Sequence, residues 1–297
     1  MNSLPHWLKK KACAGGAYPD VKKALADFSV NTVCESSRCP NSCECFSSAF
    51  ATFLILGKVC TRSCSFCSAD KTGVPWAVDQ TEPERVARCV ERIGLKYAVI
   101  TSVTRDDLDD GGAAQFVRTV ASIRRAVKDV TIELLIPDFT GDERAISAAA
   151  SSGADVVGHN IETVGRMYPL VRKEAGYERS LGVLRSIKRA SPGVVTKSAI
   201  LAGLGELPEE IIEAMRDLRE ADCDILTIGQ YLRPSPENRP VARFVPPEEF
   251  ESLKVIGEGL GFKSVNAGPF ARSSYMAEKY YKERSFSAYN APIGRIV

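Results

Sequence analysis

An α/β architecture, a partial parallel (β/α)6-type TIM-like barrel with N-terminal and C-terminal extensions, is the expectation, and three observations lead to it. From about residue 50 onward, short apolar runs alternate with amphipathic stretches. The apolar runs are hydrophobic on both faces, as strands of a helix-covered parallel sheet are. No G-x-G-x-x-G turn follows the first of them, which argues against a doubly wound dinucleotide fold. Gly203–Leu204–Gly205 is too short a match and follows the fifth run. The right-handed crossover rule then curls consecutive β–α units into a barrel or partial barrel.

Residues 1–50 read as an irregular N-terminal extension ahead of the barrel, 51–270 as the barrel itself and 271–297 as a C-terminal segment. The strand candidates are 51–59, 96–103, 130–137, 154–162, 194–201 and 224–232. Between them, apolar spacing of three and four marks helices at 83–94, 113–127, 142–153 and 207–221. A further helix at 246–261 has proline at its start and glycine at its end, and a short strand at 262–268 follows. The tail 277–290 is charged and tyrosine-rich, and reads as a frayed terminal helix. No repeat or low-complexity segment interrupts this order.

Length and composition narrow the function classes. A chain of 297 residues can bury one large core. A formal charge of +2 gives no ground for a nucleic-acid or membrane-surface partner. No apolar run approaches the roughly 20 residues a membrane span needs. The basic start MNSLPHWLKKKACAGG lacks the apolar stretch of a secretory signal and the Arg/Ser richness of a transit peptide. A cytoplasmic monomer is therefore expected, in a compartment that keeps thiols free or metal-bound.

Seven of the ten cysteines nevertheless crowd into residues 34–67, where disulfides, a structural zinc site and iron–sulfur clusters compete as explanations. A reducing compartment weighs against disulfides. Cys60, Cys64 and Cys67, spaced C-x3-C-x2-C, begin where the first barrel strand ends, the end at which barrels carry their chemistry. A structural zinc normally closes with four ligands. A [4Fe–4S] cluster held by three thiolates leaves one iron open. Upstream, Cys34 and Cys39 form a second group whose third member is Cys43 or Cys45.

The C-x3-C-x2-C spacing, with Phe66 just before its last cysteine, resembles the radical S-adenosylmethionine (SAM) superfamily. That resemblance implies a [4Fe–4S] cluster on Cys60, Cys64 and Cys67. Its open iron would bind SAM, and one-electron cleavage would give methionine and a 5′-deoxyadenosyl radical that takes hydrogen from an unactivated carbon. The words TVCESSRCPN and EC are similar to the lipoyl synthase family, as is R-S-S-Y at 272–275. So are ATFLILGKVCTRSCSFC, VITSVTRDDLDDGGA, GHNIETV, KSAILAGLGE and ILTIGQYLRPS, in the family's order.

This closer resemblance implies an auxiliary [4Fe–4S] cluster on Cys34, Cys39 and Cys45, closed by a serine of R-S-S-Y, taken as Ser274. Cys43 then reads as a small side chain in a tight loop. It implies insertion of two sulfur atoms, at C6 and C8, into a protein-bound octanoyl-lysyl group, with the auxiliary cluster as sulfur donor and two SAM consumed. The implied partners are octanoylated lipoyl-carrier proteins (2-oxoacid dehydrogenase E2 domains and the glycine cleavage H protein) and an electron donor such as ferredoxin or flavodoxin. Two other readings make different predictions. A biotin-synthase-like sulfur inserter would carry its sulfur source inside the barrel. A zinc-stabilised binding module would hold one zinc per site and catalyse nothing.

Phe66 in the cysteine word, and the polar residues Thr101, Arg105, Asn160, Glu162, Lys197, Gln230 and Arg233 at or near strand ends, supply candidates for the cofactor. Lys197, Gln230 and Arg233 are offered for the SAM carboxylate because a cation or amide donor suits it. Arg105 and Thr101 are chosen by location alone, since the segment lacks a G-G-E word. His159 reads as a packed neighbour rather than a ligand. Trp76 and the P-E-N turn at 236–238 carry no functional signal.

Overall fold

The structure, a computed structural model, describes residues 4–10 and 15–287. Its centre is a run of seven parallel strands: β2 (Thr52–Ile55), β3 (Tyr97–Ser102), β4 (Thr131–Leu135), β5 (Val156–Gly158), β6 (Val195–Ala202), β7 (Ile225–Gln230) and β8 (Ser264–Gly268). Strand order follows chain order, and a two-residue strand, β1 (Asn31–Thr32), adds antiparallel to β2. Among the described residues β8 pairs with β7 alone, so the sheet curls without closing.

The pleat sorts side chains by parity. Ala98, Ile100, Ile132, Leu134, Val157, Ile200, Leu226 and Ile228 face the helices and form the main core. Tyr97, Val99, Glu133, Val156, Val195, Lys197 and Ile225 face the lumen. The outer layer comprises α4 (Glu82–Ile93), α5 (Ala113–Ala126), α6 (Glu143–Ala150), α7 (Tyr168–Val171), α8 (Tyr177–Ala190), α9 (Pro208–Glu220) and α10 (Pro247–Gly259). Helix α4 buries Val86, Ala87, Cys89 and Val90 along one stripe. It stops at Gly94, whose φ of 74° is the left-handed cap that glycine adopts without strain.

Three expectations need correction. The stretch 1–50 is not irregular: it holds α1 (Tyr18–Asp27), α2 (Val33–Ser36) and α3 (Ser42–Ser47) besides β1. Such short helices do not nucleate alone and carry little periodic signal. They form here because Val21, Ala24, Leu25 and Phe46 pack into the common core. Helix α8 was not anticipated, because five charged residues and Gly182 dilute its pattern. Leu181, Leu184 and Ile187 are nonetheless at most 2% exposed. Each contributes about 2 kcal/mol by burial, which outweighs the diluted propensity.

The third correction concerns α11 (Ala277–Ser287), which is docked rather than frayed. Ala277 is buried against Tyr97 and Val99, and the Tyr281 ring lies 5.8 Å from that of Tyr97. Tyr281 also touches Val156, Val195 and Ile225. The helix therefore stoppers the lower lumen. Residues 288–290 of the tail lie outside the described residues.

Candidate active site

The loop after β2 carries Cys60, Cys64 and Cys67 at the carboxyl end of the sheet, and every neighbouring loop braces it. The Cys60 N–H donates to the Asp70 carbonyl at 2.8 Å, and the Thr61 N–H to the Thr104 carbonyl at 3.0 Å. Arg62, inside the C-x3-C word, is buried and donates to both Asp106 oxygens (2.6 and 2.9 Å) and to Asp138 (2.6 Å). Burial alone would raise the Asp138 carboxyl, but its bond to Arg62 and that cation's charge hold it well below the usual range. Lys71 Nζ donates to the Cys64 and Cys67 carbonyls at 2.8 and 2.7 Å. From the far side of the barrel mouth, Asn238 Nδ2 donates to the Cys67 carbonyl at 2.9 Å.

These thiols open onto a cavity of about 230 Å³ over the lumen. Phe66, Thr101, Asn160 and Glu162 line it, so four of the residues selected from the sequence converge there. Thr101 Oγ1 donates to the Leu135 carbonyl at 2.9 Å. Asn160 Nδ2 donates to Glu162 Oε1 at 3.0 Å. Glu162 sits at a φ of 65°, and burial raises its carboxyl from the ordinary value. His159 is the packed neighbour expected. Its ring is tied to the Ile136 carbonyl (2.9 Å) and Ser180 Oγ (3.1 Å), and burial lowers it to about 4.

Four other candidates lie away from this cavity, each for a physical reason. Arg105 is buried in a fork with Asp107 (2.8 Å to both oxygens) and donates to the Leu56 carbonyl at 3.2 Å. Lys197 is near the beginning of β6, not its end, and donates to both Glu133 oxygens at 2.9 Å in the lower lumen. Gln230 Nε2 reaches the Ala202 and Arg243 carbonyls, and its Oε1 accepts from the Val245 N–H at 2.7 Å. Arg233 folds back onto the Asn238 carbonyl at 2.7 Å, inside the turn that holds the cysteine loop.

Lys58, Arg62 and Lys71 also line the cavity, but the cation that reaches Asn160 is Arg172, for which the sequence offers no signal. It lies on the loop after α7 and is 9% exposed. Its Nη1 donates to the Asn160 and Ile161 carbonyls at 2.9 and 3.1 Å. Its Nε and the Ser102 Oγ, both on the cavity wall, are buried without a protein partner among the described residues. Buried polar atoms left this way suit a polar ligand. The donor set therefore fits SAM beside a three-thiolate cluster.

The second cysteine group lies beside this mouth. Cys34 is on α2, whose cap is Thr32 Oγ1 accepting from the Glu35 N–H at 3.3 Å. Cys45 is on α3, with its N–H donated to the Asn41 carbonyl at 2.9 Å. Burial raises Cys34 to about 11 and Cys45 to about 12. Thiols this basic ionise only by giving their proton up as metal arrives. Cys34, Cys39 and Cys45 are free thiols, whereas Cys43 is disulfide-bonded, a departure from the expectation of unbridged thiols. Among the described residues no three His, Cys, Asp or Glu side chains converge on one mononuclear ion. A [4Fe–4S] cluster sets each thiolate on a different iron and asks for no such convergence.

Residues some 230 positions downstream close over this group. Tyr275 Oη donates to Glu44 Oε1 at 2.7 Å, next to Cys45. Asn41 Nδ2 donates to the Phe270 carbonyl at 2.8 Å. Lys10 Nζ pairs with Glu44 at 2.6 Å and lies over the Phe270 and Tyr275 rings. The connecting backbone crosses the end of β7 at Gly229, where any Cβ would collide with the Ala271 carbonyl. Arg272 lies within electrostatic reach of both Cys39 and Glu162. Ser273 Oγ donates to Asn160 Oδ1 at 3.3 Å, whereas Ser274 Oγ has no hydrogen-bond partner among the described residues.

Comparison with known proteins shows the family. Residues 54–218 match the Radical SAM superfamily. The chain is 50% identical to a lipoyl synthase of Rubrobacter xylanophilus, over 97% of this chain and 89% of that protein. It is 51% identical to a lipoyl synthase of Caldicellulosiruptor bescii, over 92% and 94%. Among solved structures it resembles the FeFe-hydrogenase maturase HydG from Carboxydothermus hydrogenoformans, with a TM-score of 0.57 at 13% identity, covering 78% of this chain and 55% of that one. Methylornithine synthase gives 0.54 at 17%, covering 82% and 74%. At such identities these two share the fold.

Proposed function

The chain belongs to the lipoyl synthases of the radical SAM superfamily, an enzyme family that uses SAM and [4Fe–4S] clusters, and from that premise we propose how its own residues divide the reaction. Cys60, Cys64 and Cys67 hold the cluster that takes SAM. Cys34, Cys39 and Cys45 hold the auxiliary cluster, with Ser274 as its fourth ligand. When bound, these groups supply one-electron chemistry, hydrogen abstraction from unactivated carbon and the inserted sulfur.

The protein's part is binding, orientation and exclusion of water. Arg172 and Ser102 offer donors for the SAM carboxylate, in place of Lys197, Gln230 or Arg233. Asn160 and Glu162 face the ribose or the substrate, and Phe66 and Thr101 complete the wall. Arg105 positions its own loop. The braces on the cysteine loop hold one cluster still relative to the cavity. Arg272, between Cys39 and Glu162, links the two sites.

In this reading residues 1–50 carry the auxiliary thiols, 51–270 form the barrel and 271–297 bring the closing serine. The substrate is an octanoylated lipoyl-carrier protein. E2 domains of 2-oxoacid dehydrogenases and the glycine cleavage H protein are the carriers inferred, with ferredoxin or flavodoxin as reductant. Among the described residues no helix is long and apolar enough to cross a membrane. The location inferred for the meeting with these partners is the cytoplasm.

One observation carries the two-site reading: the 2.7 Å bond from Tyr275 to Glu44, which lays R-S-S-Y on the helix that bears Cys45. Anaerobic reconstitution followed by an octanoyl-lysyl peptide, SAM and a reductant tests it. About eight iron and eight sulfide per chain, with sulfur at both C6 and C8 of the product, are expected. 5′-Deoxyadenosine without lipoyl product would favour the biotin-synthase-like alternative. Zinc in place of iron would overturn both readings.

A further inference from the structure

The loop at 70–78 leaves the cavity wall carrying two large apolar side chains into solvent. Val74 is 83% exposed and Trp76 73%. The loop is not slack. Val59 bridges to Asp70 at its start, and Asp70 Oδ1 accepts from the Thr72 N–H and Oγ1 at 2.9 and 2.8 Å. Lys71 fastens it to the Cys64 and Cys67 carbonyls. At its far end Val78 packs on the core and Asp79 pairs with Arg85 at 2.6 Å. A loop pinned at both ends that still presents tryptophan to water has an apolar surface the fold itself does not use.

We propose that the Val74–Trp76 loop is the docking surface for the protein that carries the octanoyl-lysyl group. The proposal rests on the lipoyl synthase reading and names where its macromolecular substrate lands. The reacting chain is tethered to a protein, so the surface around that lysine must come to the rim of the cavity its side chain enters. The loop is that rim, since Ala69 and Lys71 line the cavity and Val74 and Trp76 follow within five residues. Lys58, exposed on the same wall, adds positive charge. The complementary carrier face is an apolar spot edged by carboxylates, and tryptophan is the residue type most often found at the centre of such contacts.

The chain has only two tryptophans, which makes the contact directly observable. In reconstituted enzyme bearing Trp7→Phe, Trp76 emission should shift to the blue when an octanoylated carrier domain lacking tryptophan is titrated in. Trp76→Ser and Val74→Ser should raise KM for the octanoylated carrier about tenfold or more. Both variants should leave kcat, KM for an octanoyl-lysyl peptide, iron content and Tm unchanged. Unchanged KM for the carrier would overturn the proposal. Equal losses on carrier and peptide would do so as well, by placing the loop in the catalytic machinery. A changed oligomeric state at unchanged carrier affinity would assign the patch to a second copy of this chain and overturn it too. Failure of the unmodified enzyme to lipoylate even the peptide would instead sink the lipoyl synthase reading.

Discussion

Ser273 and Ser274 are chemically identical neighbours, and no spacing rule chooses between them. Asn160 engages Ser273, whereas Ser274 Oγ has no hydrogen-bond partner among the described residues, and that difference supports Ser274 as the proposed ligand. A serine alkoxide is a harder ligand than thiolate for iron in a sulfide cluster, and this corner is the one inferred to release as sulfur leaves. Ser274→Cys should therefore retain full iron by elemental analysis while lipoyl product falls away. Full product formation would refute the lability argument. His159 was legible as a packed residue, and its burial has a pH consequence. Its pKa lies near 4 in the fold against an ordinary 6.5, so below 6.5 the unfolded chain takes the proton first. The stabilising effect of keeping it neutral is complete above pH 6.5 and is lost as pH falls through about 4, by about 3 kcal/mol. His159→Gln should flatten the acid limb of Tm against pH over that window. Arg172 was invisible for the opposite reason: its meaning comes from the two carbonyls and the cavity wall it meets only after folding.

Strands and helices separate what periodicity reveals from what packing decides. The parallel strands were readable because most are short, largely apolar runs alternating with amphipathic helices, a property of local sequence. Lys197 shows the limit. Its place on β6 was readable, but its depth in the barrel followed from strand register, which sets it opposite Gly158 on β5 and brings its Nζ to Glu133. Lys197→Met should destabilise the fold by about 3–5 kcal/mol by leaving Glu133 a buried, unpaired charge, with KM for SAM unchanged in whatever folds. A selective rise in that KM would restore the cofactor role expected from sequence. At the other end of the sheet, Asn238 belongs to a turn that seemed mute and proves to brace the Cys67 carbonyl. Helix α3 and the R-S-S-Y segment meet through Glu44 and Tyr275, so Tyr275→Phe should loosen the auxiliary site alone. We expect roughly 10- to 100-fold weaker retention of its iron under chelation, with the SAM-site cluster unaffected.

Across the whole chain, the two ends are the elements that, in the reading proposed, give an open barrel its second site. The N-terminal helices attach to β2 through β1, and α11 fills the lumen from below after the R-S-S-Y segment has crossed above Gly229. The motifs at the two ends were legible as words, but their contact was not, since nothing in either word states a separation in space. What the sequence withheld was mainly the tertiary support: the short helices of 15–50, the Lys10–Glu44–Tyr275 cluster and the braces on the cysteine loop. The central claim is that Cys34, Cys39, Cys45 and Ser274 close one cluster across some 230 residues. Iron-edge anomalous diffraction from anaerobically reconstituted crystals tests it most directly. A four-iron cluster with Ser274 Oγ on one iron and thiolates from Cys34, Cys39 and Cys45 on the others is predicted. Density for a single metal ion there, or a fourth corner held by any other residue, would contradict it.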